Sequence, residues 1–234
     1  MPSVIYLIPT VLFEDATECL PPYILDAVKD CSVFFVENER TARRYLKLLW
    51  KEMVIDDYEW YKIKEVKDEL ASAFKLKIKE AKNIGILSEA GCPGVADPGQ
   101  MLVAIAQQMN INIKPLVGPN SILLSLMASG MNGQQFQFLG YLPIDAAERS
   151  KVIKNLELES RQKNCTQIFI ETPYRNNQLL ETLTKTLHPQ TKICVAVDLT
   201  SNSEMIQTKT AQQWKSSMPQ IHKRPAIFLI YAGD

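Results

Sequence analysis

Residues 88–99 read Ser-Glu-Ala-Gly-Cys-Pro-Gly-Val-Ala-Asp-Pro-Gly, and their position between a strand pattern and a helix pattern indicates the fold of the chain. A buried β-branched run, Ile84–Leu87, precedes it, and a helical pattern over 101–109 follows it. Its glycines and prolines fix an unusual backbone path, and glycines let a ligand approach the main chain. Ligands of open α/β sheets bind beyond the carboxyl ends of the strands, so the loop is a candidate binding site. An ordinary tight strand-to-helix loop accounts for its composition equally well.

The loop does not match the standard nucleotide-phosphate motifs. The chain contains no GxxxxGK followed by Ser or Thr, and no GxGxxG. These glycine patterns surround phosphates with backbone N–H groups in ATPases and dinucleotide-binding enzymes. Binding of ATP or a dinucleotide by those devices is therefore disfavoured.

Short β-branched runs alternate with helical patterns along the whole chain, which predicts an α/β protein with largely parallel strands. The clearest amphipathic helix covers 62–82, where apolar residues recur at steps of three and four. The connections between the last three strands are short, so some of these strands are expected to be antiparallel. The pattern restarts after Pro115, which predicts an N-terminal α/β domain at 1–116 and a C-terminal α/β domain at 117–234. The predicted strands are 4–8, 32–36, 84–87, 111–116, 136–139, 167–170, 193–199 and 226–231.

Composition excludes several functional classes. The chain has 234 residues with 26 Lys and Arg against 26 Asp and Glu, so a strongly basic coat for nucleic acid is excluded, although a local basic patch is not. Its 5 cysteines form no CxxC pair and its 2 histidines are far apart, which predicts free thiols and no metal site. The longest apolar runs are too short to span a membrane. These features predict a soluble cytoplasmic protein.

Residues 88–93 and 97–99 resemble the S-D-A-G-T-P…S-D-P-G signature of the tetrapyrrole methylase superfamily. Four further segments are similar, in order, to its ribosomal RNA small-subunit methyltransferase I branch, which makes 2′-O-methylcytidine. These segments are 37–44 (E-D-T-R-x-x-R in the branch), 118–121 with 128–130 (P-G-P-S-A…S-G), 136–143 with Glu148 and Arg149 (F-x-F-x-G-F-L-P…E-R), and 170–175 (Y-E-S-P-H-R).

The resemblance implies two α/β domains with S-adenosylmethionine bound in the cleft between them, and a homodimer. It also carries over the family's cofactor positions. In this chain they are Pro9, Thr10, Glu89, Ala90, Gly91, Cys92, Pro93, Asn120, Ser121, Ile122, Ile170, Leu199, Pro225 and Ala226, with Glu171 beside Ile170.

The chain departs from the branch in several places. Residues 9–14 contain no glycine where the family has T-P-I-G-N-L. Glu89 and Asn38 replace aspartates, and residues 197–202 replace R-E-L-T-K, which removes an arginine and a lysine expected to face RNA. Three hypotheses follow: methylation of a ribose 2′-oxygen of RNA, methylation of a tetrapyrrole or other small molecule, and a cofactor-binding module without catalysis.

A ribose hydroxyl is a poor nucleophile, so a carboxylate that removes its proton is expected to help. The candidates are Glu37, Asp97 and Glu171, together with Glu39, although positioning alone can suffice. For Asp97, which precedes a proline, a turn-forming carboxylate is favoured over a base. The candidate RNA contacts are Arg40, Arg43, Arg44, Arg149 and Arg175; a solvated helix face explains the first three, and a pair with Glu171 explains the last.

Overall fold

A computed structural model describes residues 2–14, 16–63 and 67–233. The chain divides into two compact units, Met1–Asn120 and Ser121–Asp234. The described residues of each unit contain one five-stranded sheet with helices, which confirms the predicted α/β class.

The first unit alternates strands and helices. Its sheet has the order β3-β2-β4-β1-β5, and every pairing in it is parallel. The elements are β1 (Val4–Ile8), α1 (Ile24–Asp30), β2 (Val33–Val36), α2 (Glu39–Leu49), β3 (Glu59–Lys62), α3 (Lys67–Lys79), β4 (Ile84–Leu87), α4 (Gln100–Gln108) and β5 (Asn112–Pro115).

The central strands of this sheet are covered on both faces, as expected for parallel strands. Every residue of β2 and β4 is buried. Phe34 belongs to the core on one face and Phe35 to the core on the other. Ile8 and Val36 both pair with Leu87, so β1, β2 and β4 end at the same level. The loops that follow these three strands therefore meet at one edge of the sheet.

The second unit has a mixed sheet of order β6-β7-β10-β8-β9. Only the β6–β7 pairing is parallel, so the antiparallel pairing expected among the last strands is confirmed. The elements are α5 (Ser121–Ser129), β6 (Phe136–Tyr141), α6 (Ala146–Lys163), β7 (Thr166–Ile170), α7 (Asn176–Thr186), β8 (Lys192–Val197), β9 (Met205–Thr210), α8 (Ala211–Ser216) and β10 (Ala226–Tyr231).

Two edge strands and one helix were absent from the sequence prediction: β3, β9 and α8. The helix predicted over 62–82 is also corrected, because Lys62 is the last residue of β3 and the described helix runs from Lys67 to Lys79. Val66, which belonged to the predicted apolar face, lies outside the described residues.

Membrane and metal features can be assessed for the described residues only. Across 2–14, 16–63 and 67–233, no helix combines the length and apolar character that a membrane crossing needs. The same ranges contain no group of three or more His, Cys, Asp or Glu side chains arranged to hold a metal ion. Cys31, Cys92, Cys165 and Cys194 carry free thiols.

Candidate functional site

The loop after β1 and the loop after β4 are joined by a two-residue antiparallel bridge. The Thr10 N–H donates to the Gly91 carbonyl oxygen at 2.9 Å, and the Gly91 N–H donates to the Thr10 carbonyl oxygen at 3.2 Å. Gly91 has a φ of +77°, and a Cβ there would lie 3.3 Å from Leu12 Cδ2 and 3.4 Å from the Pro119 carbonyl oxygen. The bridge therefore needs glycine at this position.

Two side chains that the sequence analysis did not single out hold these loops. The Tyr45 hydroxyl donates to the Pro9 carbonyl oxygen at 2.6 Å. Burial raises the pKa of Tyr45, so this hydroxyl stays protonated and remains a donor. The Ser88 hydroxyl lies 3.3 Å from the Ala90 carbonyl oxygen and 3.2 Å from that of Gly91. The sequence signals were weak, since Tyr45 belongs to the apolar face of α2 and Ser88 is only the first residue of the loop.

Two of the predicted catalytic carboxylates bind backbone N–H groups of the glycine-rich loop. Glu37 Oε1 accepts from the Glu89 N–H at 3.1 Å. Asp97 accepts from the N–H of Gly94 at 2.7 Å and from that of Gly99 at 2.6 Å. Burial raises the pKa of Asp97, and the two backbone bonds oppose that rise. This geometry makes Asp97 a turn-forming carboxylate.

Cys92 and Pro9 pack against the segment that leads out of β5. The Cys92 Sγ lies 3.7 Å from the Gly118 carbonyl oxygen and 3.5 Å from that of Pro119. Burial raises the pKa of the Cys92 thiol, which keeps it neutral and a weak donor. A Cβ on Gly118 would overlap the Cβ of Pro9, so only glycine allows this approach.

A cavity of about 480 Å³ opens between the two joined loops and α2. Three of the predicted cofactor positions line it: Thr10, Glu89 and Ala90. Glu14 and Arg44, which are exposed, form an ion pair of 2.6 Å at this cavity. The remaining lining residues are Val11, Leu12, Thr41, Ala42, Tyr45, Lys47, Leu48 and Ser88.

The three arginines of α2 differ in their surroundings. Arg40 is exposed, as is Arg44. Arg43 pairs with Glu39 at 2.5 Å, and its guanidinium lies 5.1 Å from the centre of the Trp60 ring. Arg43 is thus engaged within the unit, whereas Arg40 and Arg44 are exposed and Arg44 has Glu14 as its ion-pair partner.

In the second unit, the predicted positions Ile170, Leu199, Pro225 and Ala226 gather at one edge of the sheet. Ile227 pairs with Ile170, and Ala226 pairs with Val197 at the end of β8. The Asp198 N–H donates to the Pro225 carbonyl oxygen at 3.0 Å, which fixes the chain just before Leu199. Ser121 and Ile122 form the start of α5.

Glu171 follows β7 at this edge and is paired with Arg175. The carboxylate accepts from the Arg175 guanidinium at 2.6 Å and from the Thr172 N–H at 2.7 Å, and its side chain is 1% exposed. The sequence left two roles open for Glu171 and Arg175, orientation of a substrate and pairing with each other. The structure contains the ion pair.

Arg149 does not fit the role predicted for it. The residue is 3% exposed, and its Nη1 donates to the Ile144 carbonyl oxygen at 3.2 Å. Asp145 caps the N-terminus of α6, and Arg149 is one of the buried residues of that helix. The prediction of a phosphate contact by Arg149 is therefore wrong, because its side chain is buried within the second unit.

Comparison with known sequences decides the family. The profile of Tetrapyrrole (Corrin/Porphyrin) Methylases matches residues 16–214. The chain belongs to the tetrapyrrole methylase family. This tetrapyrrole methylase is similar to proteins named Ribosomal RNA small subunit methyltransferase I. One, from Vibrio cholerae serotype O1, is 29% identical over 210 residues, covering 87% of this chain and 67% of the relative.

Two further relatives carry the same name. The protein from Synechocystis sp. is 33% identical over 157 residues, covering 67% of this chain and 55% of its own. The protein from Helicobacter pylori is 32% identical over 191 residues, which cover 76% of this chain and 64% of the relative. This methylase therefore spans between about half and two thirds of the length of these relatives.

Solved structures share the fold of this tetrapyrrole methylase. The methyltransferase CobJ superposes with a TM-score of 0.63 at 16% identity, covering 99% of this chain and 94% of its own. The uroporphyrin-III C-methyl transferase of Thermus thermophilus, solved with S-adenyl homocysteine, superposes with a TM-score of 0.54 at 13% identity. The superposition covers 98% of this chain and 97% of that structure. At these identities the likeness supports the fold alone.

Proposed function

We propose that this chain is an S-adenosylmethionine-dependent methyltransferase that methylates a ribose 2′-oxygen of small-subunit ribosomal RNA. The relatives named as ribosomal RNA methyltransferases support the acceptor. The observation that carries the proposal is the Thr10–Gly91 bridge, which brings two family cofactor segments to the mouth of one cavity.

The residues around the bridge fit the cofactor. A cavity of about 480 Å³ is within the range of small-ligand sites, which is roughly 300–1,000 Å³. Its lining offers apolar surface beside hydroxyls such as Thr10 and Thr41. The exposed carboxylate of Glu89 can face a cationic group, which suits an ammonium or sulfonium ligand. Thr10, Glu89, Ala90 and Gly91 would hold the cofactor in this unit.

S-adenosylmethionine, when bound, supplies a methyl group already activated by its sulfonium. The remaining task of the protein is to hold the acceptor oxygen in line with that methyl, and such positioning can provide a large part of the rate. The loops are prepared for this task, because Tyr45, Ser88, Glu37 and Asp97 hold their backbone in place before any ligand enters.

We propose that acceptor positioning contributes more to catalysis than a strong base. Glu37, Asp97 and Glu171 each accept hydrogen bonds from backbone N–H groups, and Glu171 also faces a guanidinium. These bonds hold the carboxylate oxygens against the backbone of their own loops. The three carboxylates are therefore better suited to hold loops than to remove a proton from a hydroxyl.

A homodimer and a cytoplasmic location belong to the same proposal. Leu123 and Met127 are four residues apart on α5 and expose 48% and 80% of their surface. An apolar patch of this kind suits an isologous two-fold contact. The ribosomal acceptor supports the location.

The test is transfer of tritiated methyl from S-adenosylmethionine to RNA of a methylation-deficient strain. We expect label in the small-subunit RNA and resistance of one phosphodiester to alkali, since a 2′-O-methyl group blocks attack by that oxygen. Label in an added tetrapyrrole instead of RNA would establish the small-molecule alternative. Cofactor binding without transfer to either acceptor would establish a non-catalytic module.

A further inference from the structure

An exposed aromatic and cationic cluster lies at the end of β7 in the second unit. Tyr174 stands in a single turn of 3-10 helix, Pro173–Arg175, and 68% of its surface is exposed. The His222 ring meets it edge-on, with the ring centres 6.0 Å apart. The Lys223 Nζ lies 5.9 Å from the centre of the Tyr174 ring. We call Tyr174, His222 and Lys223 the strand-end platform.

The backbone beneath the platform is fixed. The Lys223 N–H donates to the Pro173 carbonyl oxygen at 2.9 Å, which ties the segment before β10 to the turn after β7. The Asn176 side-chain amide donates to the Arg224 carbonyl oxygen at 2.6 Å. Lys223 itself has a φ of 63°, which is uncommon for a residue other than glycine. The ring is thus presented to solvent from a rigid base.

The carboxylates near the platform pair with arginines and not with Lys223. Arg175 is paired with Glu171, and Arg224 is paired with Asp198 at 2.7 Å. Within the described parts of the chain, no ion pair involves Lys223. The platform therefore combines an exposed ring with an ammonium whose charge no carboxylate in those parts neutralises.

This combination has a known ligand chemistry. Proteins that bind single-stranded RNA stack unpaired bases on aromatic rings and place cations along the phosphates. The platform also adjoins Ile170, Pro225 and Ala226, the positions that gather at this edge of the sheet. Because most of the Tyr174 surface faces solvent, packing of the core does not explain an aromatic residue at this position.

We propose that the strand-end platform stacks an unpaired base of the RNA substrate and that Lys223 contacts a phosphate of the same strand. This inference rests on the proposed function, because it names a contact of the same enzyme with its RNA. The inference assigns Tyr174 a role in substrate binding. In this role Tyr174 neither removes a proton nor contacts the transferred methyl.

The experiment uses a short single-stranded RNA containing 2-aminopurine, whose fluorescence is quenched on stacking. Tyr174→Ala is expected to lose the quenching and weaken RNA binding at least fivefold, the lower end for loss of one base–aromatic stack. Tyr174→Phe keeps the ring and is expected to behave like the parent. Lys223→Gln is expected to weaken binding and reduce its salt dependence, whereas Lys151→Gln, on the exposed side of α6, serves as its matched control.

The kinetics of methyl transfer distinguish a failure of this inference from a failure of the proposed function. If both hold, Tyr174→Ala raises the KM for RNA at least fivefold and leaves kcat at saturating RNA and the Kd for S-adenosylmethionine within twofold. If the parent methylates RNA and Tyr174→Ala matches it in quenching and KM, the platform is overturned while the function stands. If the parent methylates no RNA yet shows Tyr174-dependent quenching, the function is overturned while the platform stands.

Discussion

Thr10 and Gly91 exchange two backbone hydrogen bonds, although 80 intervening residues build most of the first sheet between them. The bridge joins the loop after β1 to the loop after β4. A perturbation of either loop is therefore expected to reach the cavity that both of them line.

Gly91→Val is expected to weaken S-adenosylmethionine binding at least tenfold, about 1.4 kcal/mol. A β-branched residue is strained at a φ of +77°, and its side chain would press on Leu12 and Pro119. Isothermal titration calorimetry measures the change. Gly133→Val is the matched control, because no atom lies within 4 Å of a Cβ built there. Equal cofactor affinity in a folded Gly91→Val protein would exclude this loop as the cofactor site.

Asp97→Asn tests whether this carboxylate holds the loop or removes a proton. An amide can accept only one of the two bonds from Gly94 and Gly99, so we expect about tenfold weaker cofactor binding and a kcat reduced less than tenfold. Loss of a general base would instead lower kcat by about 10²–10⁴ and flatten its pH profile. Asp145→Asn is the control, since both of its backbone bonds go to one oxygen that asparagine retains.

Arg40→Ala combined with Arg44→Ala is expected to weaken RNA binding and flatten its salt dependence. Each lost phosphate contact should lower the magnitude of the logarithmic salt slope by about 0.7 on single strands. Filter binding across a salt series measures the slope, with Lys151→Ala plus Lys154→Ala on α6 as control. Arg40→Ala alone should leave cofactor affinity unchanged, because only Arg44 lines the cavity. A slope equal to that of the parent would remove α2 from the RNA surface.

Met127→Glu is expected to convert a dimer to a monomer. Light scattering of the parent should give about twice the chain mass of 26.5 kDa, and the variant should give the chain mass itself. The physical reason is that a charge would be buried in an apolar contact without a partner. Leu158→Glu is the control, since Leu158 is also exposed but lies on α6. A parent that is monomeric at micromolar concentration would contradict the proposed assembly.

The sequence predicted the strands whose residues are apolar on both faces. β1, β4 and β10 were predicted with the bounds that the structure has, because each is a short continuous apolar run. The edge strands β3 and β9 were missed since their side chains are mixed in polarity and half exposed. Their pairing depends on a neighbouring strand and not on their own composition.

The candidate site was predictable in its backbone and not in its side-chain contacts. Glycines and prolines mark the loop after β4 in the sequence itself. Tyr45, by contrast, reaches Pro9 across 36 residues, and helical spacing alone identifies it only as a core residue. Arg149 shows the opposite case, where a motif suggested an exposed contact and the packing of α6 buries the side chain.

The position of β10 has a consequence for how a newly made chain folds during translation. β10 lies between β7 and β8, which have no direct pairing with each other. The sheet of the first unit can close once residue 115 has left the ribosome, but that of the second lacks its middle strand until residue 231. A ribosome that stalls before residue 226 therefore holds one finished half and two unpaired strand edges, the kind of surface that chaperones bind and that aggregates form on.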